Sequence, residues 1–219
     1  MRIGFIVECT QEGPEESVLK AVMQTFCPKD EPLFSPMIDK GKLLEGAQAE
    51  AAKLLAGGCS KVFVLWDWHP LDSRWTGHVN PRWRPGVCRV EAHDLRGKLK
   101  RAGLPSGRVV LICIAQELEA WALADHRAIA AVIARRRRRP VEPVRRTKRP
   151  EQCPDPEQTL ENIFREFDVE LAKYTDVPAI IELARTNRFK RLRTCPSFVR
   201  LVEKLTGKPF EEAVEITGE

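Results

Sequence analysis

A chain of 219 residues, 43% of them hydrophobic, can bury a core of its own without covalent staples. Seven cysteines, scattered and never paired as CxxC, suggest neither a zinc ribbon nor a disulfide framework and point to reduced thiols. The net charge of +5 is a local matter, since residues 135–149 carry nine Lys or Arg against one Glu and leave the rest of the chain net acidic.

In chain order, the first predicted element is a strand over Arg2 to Val7. It turns acidic too soon for the apolar core of a signal peptide, and no later run reaches the ~18 apolar residues that span a bilayer. The expectation is a soluble, cytoplasmic protein with no membrane partner. A helix is predicted over Glu15 to Phe26, then a short strand over Leu33 to Ile38, which Pro32 and Pro36 restrict to a sheet edge. Leu43 to Ala56 reads as a helix closed by Gly57 and Gly58. Lys61 to Trp66 is a strand, Val87 to Ala102 a helix, and Arg108 to Ile114 a strand. The strands over Arg2 to Val7, Lys61 to Trp66 and Arg108 to Ile114 are nearly uninterrupted apolar runs, the pattern of a parallel sheet covered on both faces.

Beyond them, "AQELEAWALADHRAIAAVIA" predicts a single helix running into the arginine cluster and Pro140. Pro140 to Pro156 reads as an exposed, proline-broken loop. Three short helices follow over Glu157 to Asp168, Val177 to Asn187 and Ser197 to Leu205. Alternating strands and helices predict an α/β layered fold with a mostly parallel central sheet. The expected organisation is an α/β domain over 1–134, a basic Pro/Arg-rich loop over 135–156, and a small C-terminal helical region over 157–219 packing on the same domain.

Each of the three strands runs at once into acid. The first delivers Glu8; the second ends on Asp67, with His69 and Asp72 close behind; the third is followed by Glu117 and Glu119. In an open parallel sheet, ligands gather outside the carboxyl ends of the strands, so these positions are expected to converge. Crowded carboxylates repel one another, and a divalent cation relieves the repulsion. Oxygen donors suit Mg²⁺ or Mn²⁺, and two such ions would serve both attacking and leaving oxygens in phosphodiester cleavage. The competing explanation is that acids after strands are turn and cap residues. On a regular helix, positions two apart point to nearly opposite sides, so Glu117 and Glu119 can enter one site only if that turn is extended. Of the two, Glu119 is favoured.

Three patches, "FIVECTQE", "VFVLWDWHP" and "AQELEAWALAD", resemble the Toprim (topoisomerase and primase) superfamily, and within it a domain family related to RloB-type and OLD-type nucleases. They align Glu8 and Glu12 with E-G-x-x-E, the strand ending at Asp67 with D-x-D, and Glu119, Trp121 and Asp125 with E-x-W-x-L-A-D. "CPSF" (Cys195 to Phe198) is similar to that family's C-terminal helices. The resemblance implies a Toprim-like Rossmannoid fold and a Mg²⁺- or Mn²⁺-dependent nuclease in which Asp67 is the central ligand, Glu119 a second, and Glu8 a ligand or the acid/base. It also implies an ABC- or AAA-type ATPase as partner, and a setting in bacterial defence against phage. Two positions depart from the pattern: Cys9 stands where the family has Gly, and His69 where D-x-D has its second Asp. His69 could ligate through nitrogen, which would favour Mn²⁺, or Asp72 could substitute for it.

The cations Arg135, Arg136, Arg137, Arg138, Arg139, Arg145, Arg146, Lys148 and Arg149 would attract DNA or RNA by counterion release, although such runs are often simply solvated. Among the tryptophans at 66, 68, 75 and 83, Trp66 is assigned to the core, and Trp68 and Trp75 are the candidates for base stacking. His78, His93 and His126 lack ligand spacing and read as surface residues. No phosphate-cradling G-x-x-x-x-G-K-[ST] loop and no G-x-S-x-G elbow occurs. Two readings follow: a metal-dependent nuclease acting on DNA or RNA, and a catalytically degenerate module of the same fold that binds nucleic acid or a partner protein. Phosphate chemistry on free nucleotides is a weaker third, since a small substrate needs no long basic segment.

Overall fold

The computed structural model describes residues 1–67 and 87–216 and divides the chain into two compact units, Met1–Gln11 with Asp30–Ile114, and Glu12–Lys29 with Ala115–Glu219. The first unit holds the sheet: β1 (Arg2–Val7), β2 (Glu31–Pro36), β3 (Lys61–Asp67) and β4 (Val109–Ile114), all parallel and ordered β2-β1-β3-β4. This is an α/β, Rossmann-like arrangement in which the strand order reverses between β1 and β3. β2 is an edge strand, as its two prolines require.

Two helices of this unit, α2 (Lys40–Ala56) and α3 (Val87–Arg101), carry its core. On α2 the small stripe Leu43, Ala47 and Ala51 recurs every four residues and meets Ile6, Val62, Val64 and Trp66, while α3 adds Ala92, Leu95 and Leu99. Gly4 sets the helix-to-sheet distance, because a Cβ there would stand 3.0 Å from Leu54 and 3.1 Å from Val62. In adjacent registers across three strands, Phe5 stacks on Phe34 at 5.4 Å and on Phe63 at 5.5 Å. Successive residues of β1 and β3 are buried, which is why these strands read as unbroken apolar runs.

The second unit is helical: α1 (Pro14–Phe26), α4 (Leu118–Leu123), α5 (His126–Arg137), α6 (Pro156–Arg165), α7 (Lys173–Arg185), α8 (Pro196–Thr206) and α9 (Phe210–Ile216). Helix α1 packs on α7 and α8. A chain of rings runs through the unit, Phe26 to Phe189 to Phe198, with Trp121 and Phe210 both edge-on to Phe198.

Three expectations are corrected. The single helix expected after β4 is two helices, because the Asp125 side chain accepts the N–H groups of Arg127 and Ala128 and starts α5 afresh. They open the second stretch of the helical unit, which begins at Ala115. Cys113 is disulfide-bonded, whereas Cys9, Cys27, Cys59, Cys153 and Cys195 are free; the fold brings the Cys113 sulfur within bonding reach of another, which spacing along the chain does not disclose. And residues 140–149, though free of helix and strand, are tied down: Val144 is buried, and so are Pro150 and Glu151 directly after them. No described helix is long and apolar enough to cross a membrane.

Candidate functional site

In the sheet unit, β1 ends at Val7 and β3 at Asp67, neighbours in the ladder. Glu8 Oε2 accepts the Asp67 backbone N–H at 3.3 Å. Two acids 59 residues apart in sequence therefore meet at the carboxyl ends of the two strands between which the strand order reverses, the position where open α/β sheets bind ligands. Both are partly accessible to solvent. Cys9 has no need of glycine's freedom: the left-handed residue of this turn is Glu12, at φ 61°.

The same carboxyl edge carries a buried ion pair that sequence reasoning missed. Lys40, at the start of α2, reaches Glu91 of α3 at 2.9 Å, and Trp66 Nε1 donates to the same carboxylate at 2.8 Å. Trp66 is thus core, as expected, and its indole fixes the strand residue next to Asp67. The only sequence signal was a lysine directly after the helix-capping Asp39, too common a pattern to single out.

In the helical unit, Gln116 adopts φ 69° and Glu117 is extended at φ −148°, ψ 170°, with α4 beginning only at Leu118. The extended turn is the condition under which residues two apart can face one site. Glu117, Glu119 and Glu157 place carboxylate oxygens within 4.8 Å of one another. Burial first, and then the adjacent Glu119 charge, raise the Glu117 carboxyl to about 7. Lys173 Nζ lies 3.0 Å from Glu119 and 2.9 Å from Glu157. Burial works against its charge, but the two carboxylates prevail and hold the ammonium well above its ordinary range.

Neither Glu157 nor Lys173 was anticipated. Glu157 was one exposed-looking acid among many, and Lys173 fell outside the expected helix because Pro178 reads as a helix boundary, whereas α7 runs through it.

The remaining residues of the third patch are structural. Trp121, fully buried, donates to Ser197 Oγ at 2.8 Å and meets Phe198 edge-on at 5.1 Å; Cys195 is buried beside Ala120. The "AWALAD" and "CPSF" patches are thus two halves of one contact. Asp125 caps α5 and also accepts from Asn187 at 2.9 Å.

Of the nine basic residues, Arg136 is paired with buried Asp176 at 2.6 Å and Arg137 with Asp168 at 3.7 Å. The other seven are exposed. His93 is exposed as expected, whereas His126 is half-buried. His69, Asp72, His78, Trp68, Trp75 and Trp83 lie outside the described residues.

Residues 13–206 match the family model described as Domain of unknown function (DUF4276), and the chain belongs to that family. No curated protein and no solved structure matches the chain.

Proposed function

We propose that this member of the DUF4276 family is a divalent-metal-dependent nuclease that hydrolyses phosphodiester bonds in DNA or RNA, with Glu8 and Asp67 at its working edge. The observation that carries the reading is the meeting of Glu8 with Asp67 at the point where the strand order reverses. It agrees with the activity implied by the resemblance of these patches to the Toprim superfamily. The donors fit the ion: two partly accessible carboxylates are hard oxygen ligands that leave positions for water and phosphate, as Mg²⁺ and Mn²⁺ require. A bound dication would polarise the phosphoryl group and lower the pKa of the attacking water. Asp67 is the principal ligand in this reading, and Glu8 either shares it or handles the proton of the attacking or leaving oxygen. An ATPase partner and a setting in phage defence belong to the same proposal.

Cleavage of plasmid, single-stranded DNA and tRNA with Mg²⁺ and with Mn²⁺ tests it. Asp67→Asn and Glu8→Gln should each abolish cleavage while leaving the fold intact by circular dichroism. Cleavage that survives both substitutions would remove the assigned chemistry.

One observation favours the second reading, a degenerate nucleic-acid-binding module. Glu119, expected as a metal ligand, already has a cation in Lys173 at 3.0 Å, so that carboxylate needs no metal for its neutralisation. Calorimetric titration with Mn²⁺ separates the two: a nuclease binds the ion, and a module that binds nucleic acid without binding Mn²⁺ is the alternative.

A further inference from the structure

The basic segment sorts into a pattern that the sequence does not show. Helix α5 has 12 residues, roughly 18 Å at 1.5 Å per residue. Arg135 and Arg138 stand at its C-terminal end, exposed, and Arg127 is exposed in its first turn. The chain then turns back: Arg146 and Arg127 both act electrostatically on His126, the first residue of α5. Residues 139–146 therefore run from one end of α5 towards the other, a span that seven or eight extended residues cover with ease, at about 3.3 Å each.

This strap is held in place. Val144 is 5% exposed. Pro140, Pro143 and Pro150 limit its backbone. Its far end is pinned where the buried Glu151 carboxylate accepts the Ser197 N–H at 3.1 Å, and the Ser197 hydroxyl as well, at the start of α8. Between these anchors Arg145, Arg146 and Lys148 are exposed and form no ion pair among the described residues, and Arg149 makes only a 3.3 Å bond to Gln152.

We propose that the helical unit carries a preformed binding ridge for a nucleic-acid backbone, made by the strap folded along α5, with Arg145, Arg146, Lys148 and Arg149 continued by Arg127 at one end and Arg138 at the other. The inference takes its ligand class from the nuclease reading but needs neither metal nor cleavage. Nucleic acid is favoured over an anionic membrane for two reasons. All of these cations but one are arginines, whose planar forks match phosphate oxygens; and the strap's aliphatic side chains are withdrawn, Val144 buried and Val141 half-buried, so nothing is offered to lipid chains. A length of roughly 18 Å corresponds to about five base-pair steps of duplex at 3.4 Å each.

The test is fluorescence anisotropy of the full chain with a short labelled DNA duplex in EDTA, across a salt series, with phosphatidylserine vesicles as the competing surface. Changing Arg145, Arg146, Lys148 and Arg149 to Gln should reduce the slope of log affinity against log salt by up to about 3.6, roughly 0.9 per phosphate contact. Arg127→Gln, outside the polybasic run, should reduce it by about 0.9. Val144→Ser, with every charge kept, should weaken binding while circular dichroism stays unchanged. If Arg127→Gln leaves the salt slope where it was, the ridge is overturned in favour of a mobile tether, and this exposed substitution carries no folding risk. Binding to vesicles with none to the duplex also overturns it. Because metal is absent throughout, loss of cleavage in Asp67→Asn bears on the nuclease reading alone, and loss of the Arg127 effect on the ridge alone.

Discussion

At the scale of single residues, the acid-after-strand pattern singled out positions without revealing which environment each one meets. Glu8 and Asp67 were legible because strand length and a parallel sheet dictate where the chain emerges. Glu117 was less so: its approach to Glu119 depends on the left-handed Gln116, a torsion that no local composition requires and that side chains other than glycine rarely adopt. The outcome is a carboxyl that keeps its proton to about 7 when folded, against an ordinary value of 4.5. Between these values the folded chain binds more protons than the unfolded one, so stability is greatest below the lower value and falls as pH rises through the upper. The expected loss between pH 4.5 and pH 8 is roughly 2 kcal/mol once solvent screening is allowed for. Urea denaturation of the wild type and of Glu117→Gln at several pH values checks this. The substitution should remove that part of the slope, and equal slopes in the two proteins would show that Glu117 ionises normally.

At the scale of elements, apolar runs and glycine stops placed β1, β3, β4 and α2 within a few residues, because burial on both faces and helix termination leave strong local signatures. The errors came where a side chain redirects the backbone. Asp125 divides one apolar pattern into α4 and α5, and α7 begins a full turn before Pro178. That extra turn delivers Lys173 to Glu119 and Glu157. Glu119 is 2% exposed at its side chain, so taking away its cation leaves a buried carboxylate uncompensated, at a cost of about 3–5 kcal/mol. Lys173→Met should therefore lower the urea midpoint strongly, and Lys173→Arg, which keeps the charge, much less. A midpoint unchanged in Lys173→Met, which keeps an aliphatic side chain of similar length, would mean that Lys173 stabilises through its stem instead of its charge.

At the scale of the whole molecule, the sequence read as one sheet domain followed by a basic loop and a helical appendage, whereas the chain crosses between units near residue 12, near residue 30 and again at Ala115. Helix α1 lies between two strands of the sheet in sequence yet packs in the other unit, which no linear reading of β-α-β alternation discloses. Its buried face, Val18, Leu19, Val22 and Phe26, meets α7 and α8, with Phe26 stacked on Phe189 at 5.8 Å. A fragment of residues 115–219 would have all the later helices but would expose this seat, several large apolar side chains at about 1.5–3 kcal/mol each, a substantial share of the 5–15 kcal/mol by which a domain is stable. The fragment alone should thus show reduced helical circular dichroism and shallow, non-cooperative unfolding, and adding a peptide of residues 13–29 should restore a cooperative transition. If the fragment unfolds cooperatively without the peptide, α1 is a passenger on the helical unit, and the second unit is continuous in sequence after all.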